Sequence, residues 1–495
     1  MKIVNGKIYF LFFILFTATF SNGFGQSGIE KGDLISDLKL DLVEAIELAI
    51  ANNPQVNRAL LSVKDADELV KIAYSELFPD IVSSINYTRN IEIPVTFVPA
   101  QFFDPNAPAG TLAPVEFGTD NNWQGGISVS QNIFKGEAII GVGTSTIFKT
   151  VQRENLRAVT QQVVTQARVA YYSTLVSEER LRLQQAQIDR LEANLNENRA
   201  RERAGLVDPY DVLRLEVQLS NARPQLVEAE YMVQEAYRNL KIALGLPLQL
   251  EFSILGELNA FDILDPEMVN GENLTLKRVD LMNRYTYSNE SESGMEQQLG
   301  LRGDLRVIDA TIDLKDKEIS AVKSRYLPTI TANYNLQWTA VEAGRPNFFR
   351  NEGANTNPIR FQTLGVSVRL PLFQGLSRVA NVNRVQIERK DLEEQKRAAT
   401  LSARNDILSA KEDLDQAFET AEGRRRAVEL AQEGYDRAKK RFDQGLGSQL
   451  ELTEAEIQVR EAEVNYAQMV FGYLSAKARY DLAVGKVPMV DQEIE

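Results

Sequence analysis

The second half of this chain repeats the order of signals found in its first half. The segment 126–129, Gly-Ile-Ser-Val, has its counterpart in Gly-Val-Ser-Val at 365–368, and Gly205-Leu206 recurs 240 positions later as Gly445-Leu446. An offset that stays constant over such distances indicates an internal duplication. The fold must therefore use one arrangement of elements twice.

Each repeat predicts the order helix, strand, loop, strand, long helix, glycine turn, helix. Residues 329–338 alternate polar and apolar side chains without exception, which is the period-2 pattern of a strand with two different faces. Residues 364–370 alternate in the same way, and weaker copies lie around 81–88 and 127–131. The proline-rich segment 91–121 predicts an irregular loop between the first two strands.

The predicted helices are unusually long. Residues 137–204 contain no proline, and a helix of that length would extend about 100 Å. The helices predicted for 41–77 and 210–245 together match it to within a turn or two. We therefore expect two shorter helices, stacked end to end, beside one long helix, with the glycine turns at one end of the column and the strands at the other.

The chain divides into five predicted segments. Lys2 and Lys7, an apolar run to Phe20 and small residues up to Gly25 predict a secretory signal peptide at 1–25. A transmembrane anchor is the alternative, although the run is shorter than the ~20 residues that a spanning helix needs. The first repeat then covers 26–248, a polar linker or equatorial segment covers 249–300, the second repeat covers 301–488, and 489–495 form a C-terminal tail.

Composition excludes several classes of function. The chain has no cysteine and no histidine, which removes thiol and imidazole chemistry and most soft-metal sites. Its net charge of -14 argues against a nucleic-acid partner. No phosphate-binding loop, nucleophile elbow or metal-spaced cluster is present, so we predict no catalytic residue, no cofactor and no enzyme activity.

Four strands cannot close a barrel in a membrane, where open sheet edges are not tolerated. Three copies would supply twelve strands, which is a permitted even number. The polar positions of the clearest strand would then face a wet lumen and its apolar positions would face lipid, with Tyr87, Tyr334 and Trp338 in interfacial aromatic girdles. The polar positions are Thr331, Asn333, Asn335 and Gln337, and the apolar positions are Ile330, Tyr334, Leu336 and Trp338. The alternative is a small soluble sheet packed on helices.

The ordered motifs resemble those of the TolC family of outer membrane efflux proteins over nearly the whole chain after the signal peptide. They include Asn53-Pro54 ahead of Pro79, Gly303-Asp304-Leu305 ahead of Leu327-Pro328, the segment 372–375, Leu-Phe-Gln-Gly, and both Gly-Leu turns. The resemblance implies a mainly α fold with a small β part, in which a homotrimer forms a twelve-stranded outer-membrane barrel and an α-helical barrel of coiled-coil hairpins across the periplasm.

The same resemblance implies a function and partners. The chain would be the passive exit duct of a tripartite efflux or type I secretion system in a Gram-negative outer membrane. It would work with a periplasmic adaptor protein and an inner-membrane transporter of the RND or ABC type, surrounded by outer-membrane lipid. A secreted coiled-coil surface or adhesin-like protein without a pore is the alternative. The sequence does not identify the cargo.

The resemblance places adaptor docking on the two glycine turns. The residues are Gly205, Leu206, Val207 and Asp208 in the first turn and Gly445, Leu446, Gly447 and Ser448 in the second. A chain that reverses between two helices needs a residue that tolerates positive φ. Asp208 and Ser448 can also cap the returning helices, with Pro209 at the first helical position, and they could be cap residues only.

Acidic residues follow both turns, and the resemblance implies that they narrow the entrance. Asp211, Glu451 and Glu454 would each repeat as a ring of three charges in a trimer and favour cations. The alternative is that they only complement the dipoles of their helices. Gly447 stands where some relatives carry a basic latch residue, so that latch is in doubt here, and Arg203, Arg214 or Arg441 could replace it.

Overall fold

The structure is a computed structural model that describes residues 39–256, 258, 292–342 and 359–487. The predicted signal peptide, the C-terminal tail and much of the predicted linker lie outside the described residues. The helices are α1 (Leu42–Asn52), α2 (Pro54–Ser75), α3 (Gly136–Arg203), α4 (Pro209–Leu244), α5 (Glu292–Leu299), α6 (Gly303–Ser324), α7 (Ser377–Asp443) and α8 (Gln449–Ala483). The strands are β1 (Lys39–Leu40), β2 (Asp80–Arg89), β3 (Val95–Pro99), β4 (Leu112–Glu116), β5 (Asn121–Phe134), β6 (Ser253–Ile254), β7 (Thr329–Glu342) and β8 (Ile359–Arg369).

Two long helices form the frame of the molecule, as the proline-free segments predict. Helix α3 has 68 residues and returns through α4, and α7 has 67 residues and returns through α8. Leucine, isoleucine and valine side chains close the first hairpin near its tip; they are Ile188, Leu191 and Leu195 of α3 and Val212, Leu215 and Leu219 of α4. Among the described helices, none combines the length and apolar character that crossing a membrane requires.

The single helix predicted for 41–77 is wrong, because the structure divides it into α1 and α2. Asn53 has extended backbone torsions between them, and its side chain accepts a hydrogen bond from the Gln55 amide at 2.8 Å. Pro54 is the first residue of α2 and has no amide hydrogen to continue α1. Helix α1 therefore packs beside α3 and α4, and only α2 continues the column.

Helix α4 ends where α2 begins, and a glycine brings the two ends together. Gly245 has φ +70°, and a Cβ atom added there would lie 2.5 Å from the carbonyl oxygen of Asn52. The Asn53 side chain donates to the Ala243 carbonyl at 2.9 Å, so it caps one helix and holds the end of the other. The end-to-end stacking of α4 and α2 beside α3 is as the sequence predicts.

We call this contact between the end of one helix and the start of the next a joint. The second half contains the same kind of joint, made with a different side chain. A Cβ atom at Gly485, which has φ +73°, would lie 2.6 Å from the carbonyl carbon of Leu301. Arg302 donates to the Ala483 carbonyl at 3.2 Å and pairs with Asp304 at 2.8 Å. Helices α8 and α6 therefore meet end to end beside α7.

The two halves are fixed to each other around the joints. Arg168 of α3 pairs with Asp481 of α8 at 2.7 Å, and both side chains are buried. Tyr171 donates to the carbonyl oxygen of Leu40, in β1, which pairs in parallel with β6. Charged and polar side chains are this deeply buried only where partners compensate for the lost water.

Strands β2, β5, β7 and β8 form one antiparallel sheet in the order β2-β5-β7-β8. Strand β5 of the first half pairs with β7 of the second half over most of their length, with Ile127 opposite Leu336. Strands β2 and β8 are the two edges and pair with one neighbour each within the described residues.

The register places mainly apolar side chains on one face of the sheet and mainly polar side chains on the other, since directly opposite residues in antiparallel strands share a face. The outer part of β8 is the exception, because Arg360 and Gln362 stand on the apolar face and Phe361 on the polar face. Val129, Tyr334 and Leu364 stand in one row of the apolar face, whereas Ser130 and Asn333 stand in a row of the polar face. The aromatic side chains differ in depth. Tyr87 stacks on Trp123 near the outer ends of their strands, with ring centroids 4.3 Å apart, and Trp338 lies one row further in, but Tyr334 lies near the middle of β7.

The segment between β2 and β5 is more regular than the irregular loop that its prolines predict. Strands β3 and β4 pair as an antiparallel ribbon, with Phe97 opposite Pro114. A two-stranded ribbon consists only of edges, where a proline without an amide hydrogen is tolerated. This ribbon lies at the end of the sheet that is remote from the helices.

The joint predicts that two glycines of equal φ differ in how much stability the protein loses when each is replaced by alanine. Gly245→Ala should destabilise the protein by several kcal/mol, because its methyl group meets the Asn52 backbone, whereas Gly205→Ala should cost only the roughly 1–2 kcal/mol of an alanine with positive φ. Nothing lies within 4 Å of a Cβ atom at Gly205, and both glycines have φ +70°. Denaturant unfolding of the detergent-solubilised variants measures the difference, and equal losses would contradict the tight joint.

Candidate functional site at the helical tips

The first tip is the turn between α3 and α4. Gly205 has φ +70°, and its amide donates to the Glu202 carbonyl at 2.8 Å, while the Leu206 amide donates to the Arg201 carbonyl at 2.9 Å. These two bonds end α3 in a Schellman motif, for which glycine is the favoured residue. Asp208 then caps α4 by accepting from the Tyr210 amide at 2.9 Å.

The second tip has the same construction between α7 and α8. Gly445 has φ +73°, and its amide donates to the Phe442 carbonyl at 3.0 Å, while Leu446 donates to the Arg441 carbonyl at 2.8 Å. Ser448 accepts from the Glu451 amide at 3.2 Å. The cap roles predicted for Asp208 and Ser448 are thus confirmed, whereas adaptor docking stays a prediction.

The tips differ at the third residue of each turn. Gly447 also donates to the Arg441 carbonyl, at 3.1 Å, and a Cβ atom there would lie 3.1 Å from the Phe442 amide nitrogen. Val207 is the counterpart in the first tip. The second turn is therefore wound more closely onto its helix, which a side chain at 447 would oppose.

Both tips carry a leucine that projects away from the rest of the molecule. Leu206 is 75% exposed and Leu446 is 70% exposed. Each follows its glycine directly, so the geometry of the Schellman turn fixes its direction. An exposed leucine at the apex of each hairpin offers an apolar contact to a partner.

The predicted acidic residues occupy two different settings. Asp211 and Glu451 each lie in the first turn of a helix, where a negative charge complements the helix dipole. Glu451 also lies 3.8 Å from Arg441, which among the described residues is the ion pair between one of the three basic candidates and a predicted gate residue. Glu454 is exposed one turn further along α8 and has no ion pair among the residues that the structure describes.

Sequence reasoning missed a polar seam between the two hairpins, formed by Asn194 and Asn198 of α3 and by Gln449 and Glu456 of α8. Asn198 donates to Gln449 at 3.1 Å, and both are buried. Asn194 donates to Glu456 at 3.1 Å. Two asparagines four residues apart, one on each side of Leu195, were the available signal, because asparagine is a poor choice for the interior of an apolar stripe.

The polar seam continues into a groove of about 150 Å³ where α3, α4 and α8 meet. Arg460 donates there to Gln187 at 3.0 Å and to Gln225 at 3.2 Å. Burial raises the pKa of Glu456, although Arg190, Asn194 and Lys439 oppose that shift. Within the part of the chain that the structure describes, no group of acidic side chains is placed to hold a metal ion.

Comparison with known proteins connects this architecture to one family. The family model described as "Outer membrane efflux protein" matches residues 45–246 and 295–486. The alkaline protease secretion protein AprF of Pseudomonas aeruginosa is 20% identical over 466 residues, which cover 92% of this chain and 86% of that protein.

Two solved structures share the fold. The Campylobacter jejuni CmeC outer membrane channel is 17% identical, with a TM-score of 0.65 over 91% of this chain and 87% of that one. The Neisseria gonorrhoeae MtrE outer membrane channel, in its open state, is 16% identical, with a TM-score of 0.66 over 90% of this chain and 88% of that one.

The half-buried carboxyl of Glu456 in the polar seam predicts a pH dependence of stability. The pKa of folded Glu456 lies above its ordinary value of 4.5, so the folded chain binds more protons there than the unfolded chain, and its stability falls as pH rises through that window. Glu456→Gln should raise the unfolding temperature at pH 7 and flatten this part of the pH profile. Thermal unfolding from pH 4 to 8 measures both effects.

The control is Glu461→Gln, which neutralises an exposed glutamate of the same helix. It should leave the pH profile of stability unchanged. A Glu456→Gln profile that follows the wild type would show that this carboxyl is not penalised by burial.

Proposed function

The chain belongs to the outer membrane efflux protein family and is an outer-membrane exit duct, and we propose that it works as a homotrimer whose tips engage a periplasmic adaptor protein. The adaptor connects the duct to an inner-membrane transporter of the RND or ABC type. The name of AprF refers to the secretion of a protease, which supports type I secretion beside efflux as the system that this duct serves.

The sheet with two open edges is the observation that carries the trimer. Strands β2 and β8 each leave a row of backbone groups without a partner in the described part of the chain. In a membrane those groups need hydrogen bonds, and pairing β8 of one copy with β2 of the next supplies them. Three copies close twelve strands, with the apolar face toward lipid and the polar face toward the lumen.

Large apolar side chains that are exposed to solvent in a single chain support the same assembly. On α7, Leu401 and Leu408 are exposed and stand seven residues apart, and on α2, Leu61 and Ile72 are exposed. A sevenfold spacing is typical of helices that pack side by side. Contact between neighbouring copies would bury these side chains and build a continuous helical wall from the hairpins.

At the periplasmic end of that wall, the two leucines of the tips supply the docking contact. Leu206 and Leu446 project from turns that their own hydrogen bonds already satisfy, so a partner can cover them without breaking either turn. Asp211, Glu451 and Glu454 follow directly behind them and would line the entrance in three copies. The second tip supplies two of these three acids and therefore more of the gate.

A conductance measurement tests the duct and its acidic entrance. The wild-type trimer should conduct in a planar bilayer and prefer cations, and Glu451→Gln with Glu454→Gln should reduce that preference severalfold, because six negative charges per trimer are removed. Glu419→Gln with Glu422→Gln removes the same charge further from the tip and should have a smaller effect. Unchanged selectivity would exclude the acidic ring, and a folded trimer without conductance would exclude the duct.

Adaptor binding tests the tips. Leu206→Asp together with Leu446→Asp should weaken binding of the cognate adaptor at least tenfold, since each buried leucine contributes about 1.5–3 kcal/mol. Leu206→Met with Leu446→Met keeps apolar tips and should bind like the wild type. Surface plasmon resonance on the trimer in nanodiscs gives both affinities. Equal binding by the aspartate and methionine variants would place docking elsewhere.

A further inference from the structure

The apolar face of the sheet contains a depression near its outer end. One row of the register runs across three strands from Ile85 through Gly125 to Trp338. Gly125 presents no side chain between its two large neighbours, and the Trp123 ring borders the space on the outer side. The depression has a volume of about 420 Å³, which lies within the range of small-molecule sites.

Backbone geometry does not explain the glycine. Gly125 does not adopt positive φ, and an added Cβ atom would lie 3.8 Å from Ile85 Cγ1, which is ordinary contact. Its neighbour is different, because a Cβ atom at Gly126 would lie 2.9 Å from the Leu336 carbonyl oxygen. The sheet therefore requires a glycine at 126 but leaves room for a side chain at 125.

Basic side chains stand on both sides of the depression and on the same face. Arg360 of β8 is directly opposite Trp338, is exposed, and lies beside Gln362, another polar residue of this face. Arg89 of β2 stands two residues beyond Tyr87. In the outermost row, Glu342 is the acid on the same face, four residues beyond Trp338. A cation on the lipid-facing side of a barrel is tolerated only near the interface, where headgroups can contact it.

We propose that this depression binds lipopolysaccharide of the outer leaflet, with one acyl chain over Gly125 and a lipid A phosphate on Arg360. The apolar depression fits an acyl chain and Arg360 fits a phosphorylated headgroup, both at the outer end of the strands, and lipopolysaccharide has both on that side of the membrane. The site rests on the proposed function, because the apolar face must be the one that meets the membrane.

Affinity measurements on the purified full-length trimer in detergent test the site. Purified lipopolysaccharide should bind the wild type at least tenfold more tightly than it binds Gly125→Leu, which fills the depression, and Arg360→Gln, which removes the charge. Gly365→Leu and Arg369→Gln are matched controls on the polar face of β8 and should bind like the wild type. Phosphatidylglycerol, an anionic phospholipid with two chains, should bind at least tenfold more weakly.

Three outcomes overturn the site: wild-type affinity in both Gly125→Leu and Arg360→Gln, equal losses in the polar-face controls, or equal binding of phosphatidylglycerol. If Gly125→Leu fails to assemble, the affinity of Arg360→Gln for lipopolysaccharide still tests the site. Single-channel conductance separates this result from the proposed function. A trimer that conducts normally but binds lipopolysaccharide no more tightly than phosphatidylglycerol would overturn the lipid site alone. A trimer that binds lipopolysaccharide selectively but does not conduct would overturn the proposed duct.

Discussion

The architecture depends on the contact of helix ends at Gly245 and Gly485, where one backbone lies against another. At both positions the missing side chain lets α4 reach α2, and α8 reach α6, with a Cβ-to-backbone separation that no other residue allows. Because each pair of shorter helices can then continue as one column, a single long helix can lie beside both. These junctions help to set the distance between the sheet and the tips. A gap between the two shorter helices would leave part of α3 or α7 without a helix beside it.

The sheet imposes the second constraint, at the end of the column that is remote from the tips. Its four strands form backbone hydrogen bonds with their neighbours in the order β2-β5-β7-β8, and the central pair, β5 and β7, joins the two halves of the chain. The outer strands can be satisfied only by further strands, because lipid provides no hydrogen bonds. In the proposed trimer, the need to pair these backbone groups connects the two open edges to the assembly of three chains.

Much of this could be predicted from the sequence, because its strongest signals are backbone rules. A proline-free segment gives α3, strict alternation gives β7, and a glycine before a capping residue gives each tip. The division at Asn53 was missed although Pro54 marks it, because the helical period continues across the break. The β3–β4 ribbon was missed because prolines at sheet edges look like prolines in loops. The polar seam could not be predicted, since it depends on which helix lies opposite Asn198.

Near the tips, the contact within the first hairpin is apolar, whereas the contact between the two hairpins is polar. Within the first hairpin, α3 and α4 are held by leucine, isoleucine and valine contacts, and separating them would expose that apolar surface to water. Between the hairpins, α3 and α8 meet at the polar seam through amide and carboxyl hydrogen bonds, Asn198 to Gln449 and Asn194 to Glu456. Water can replace these bonds at a net cost of about 1 kcal/mol each. Near the tips, the first hairpin is therefore a stronger unit than its contact with the second, and the proposed entrance lies at this end of the column.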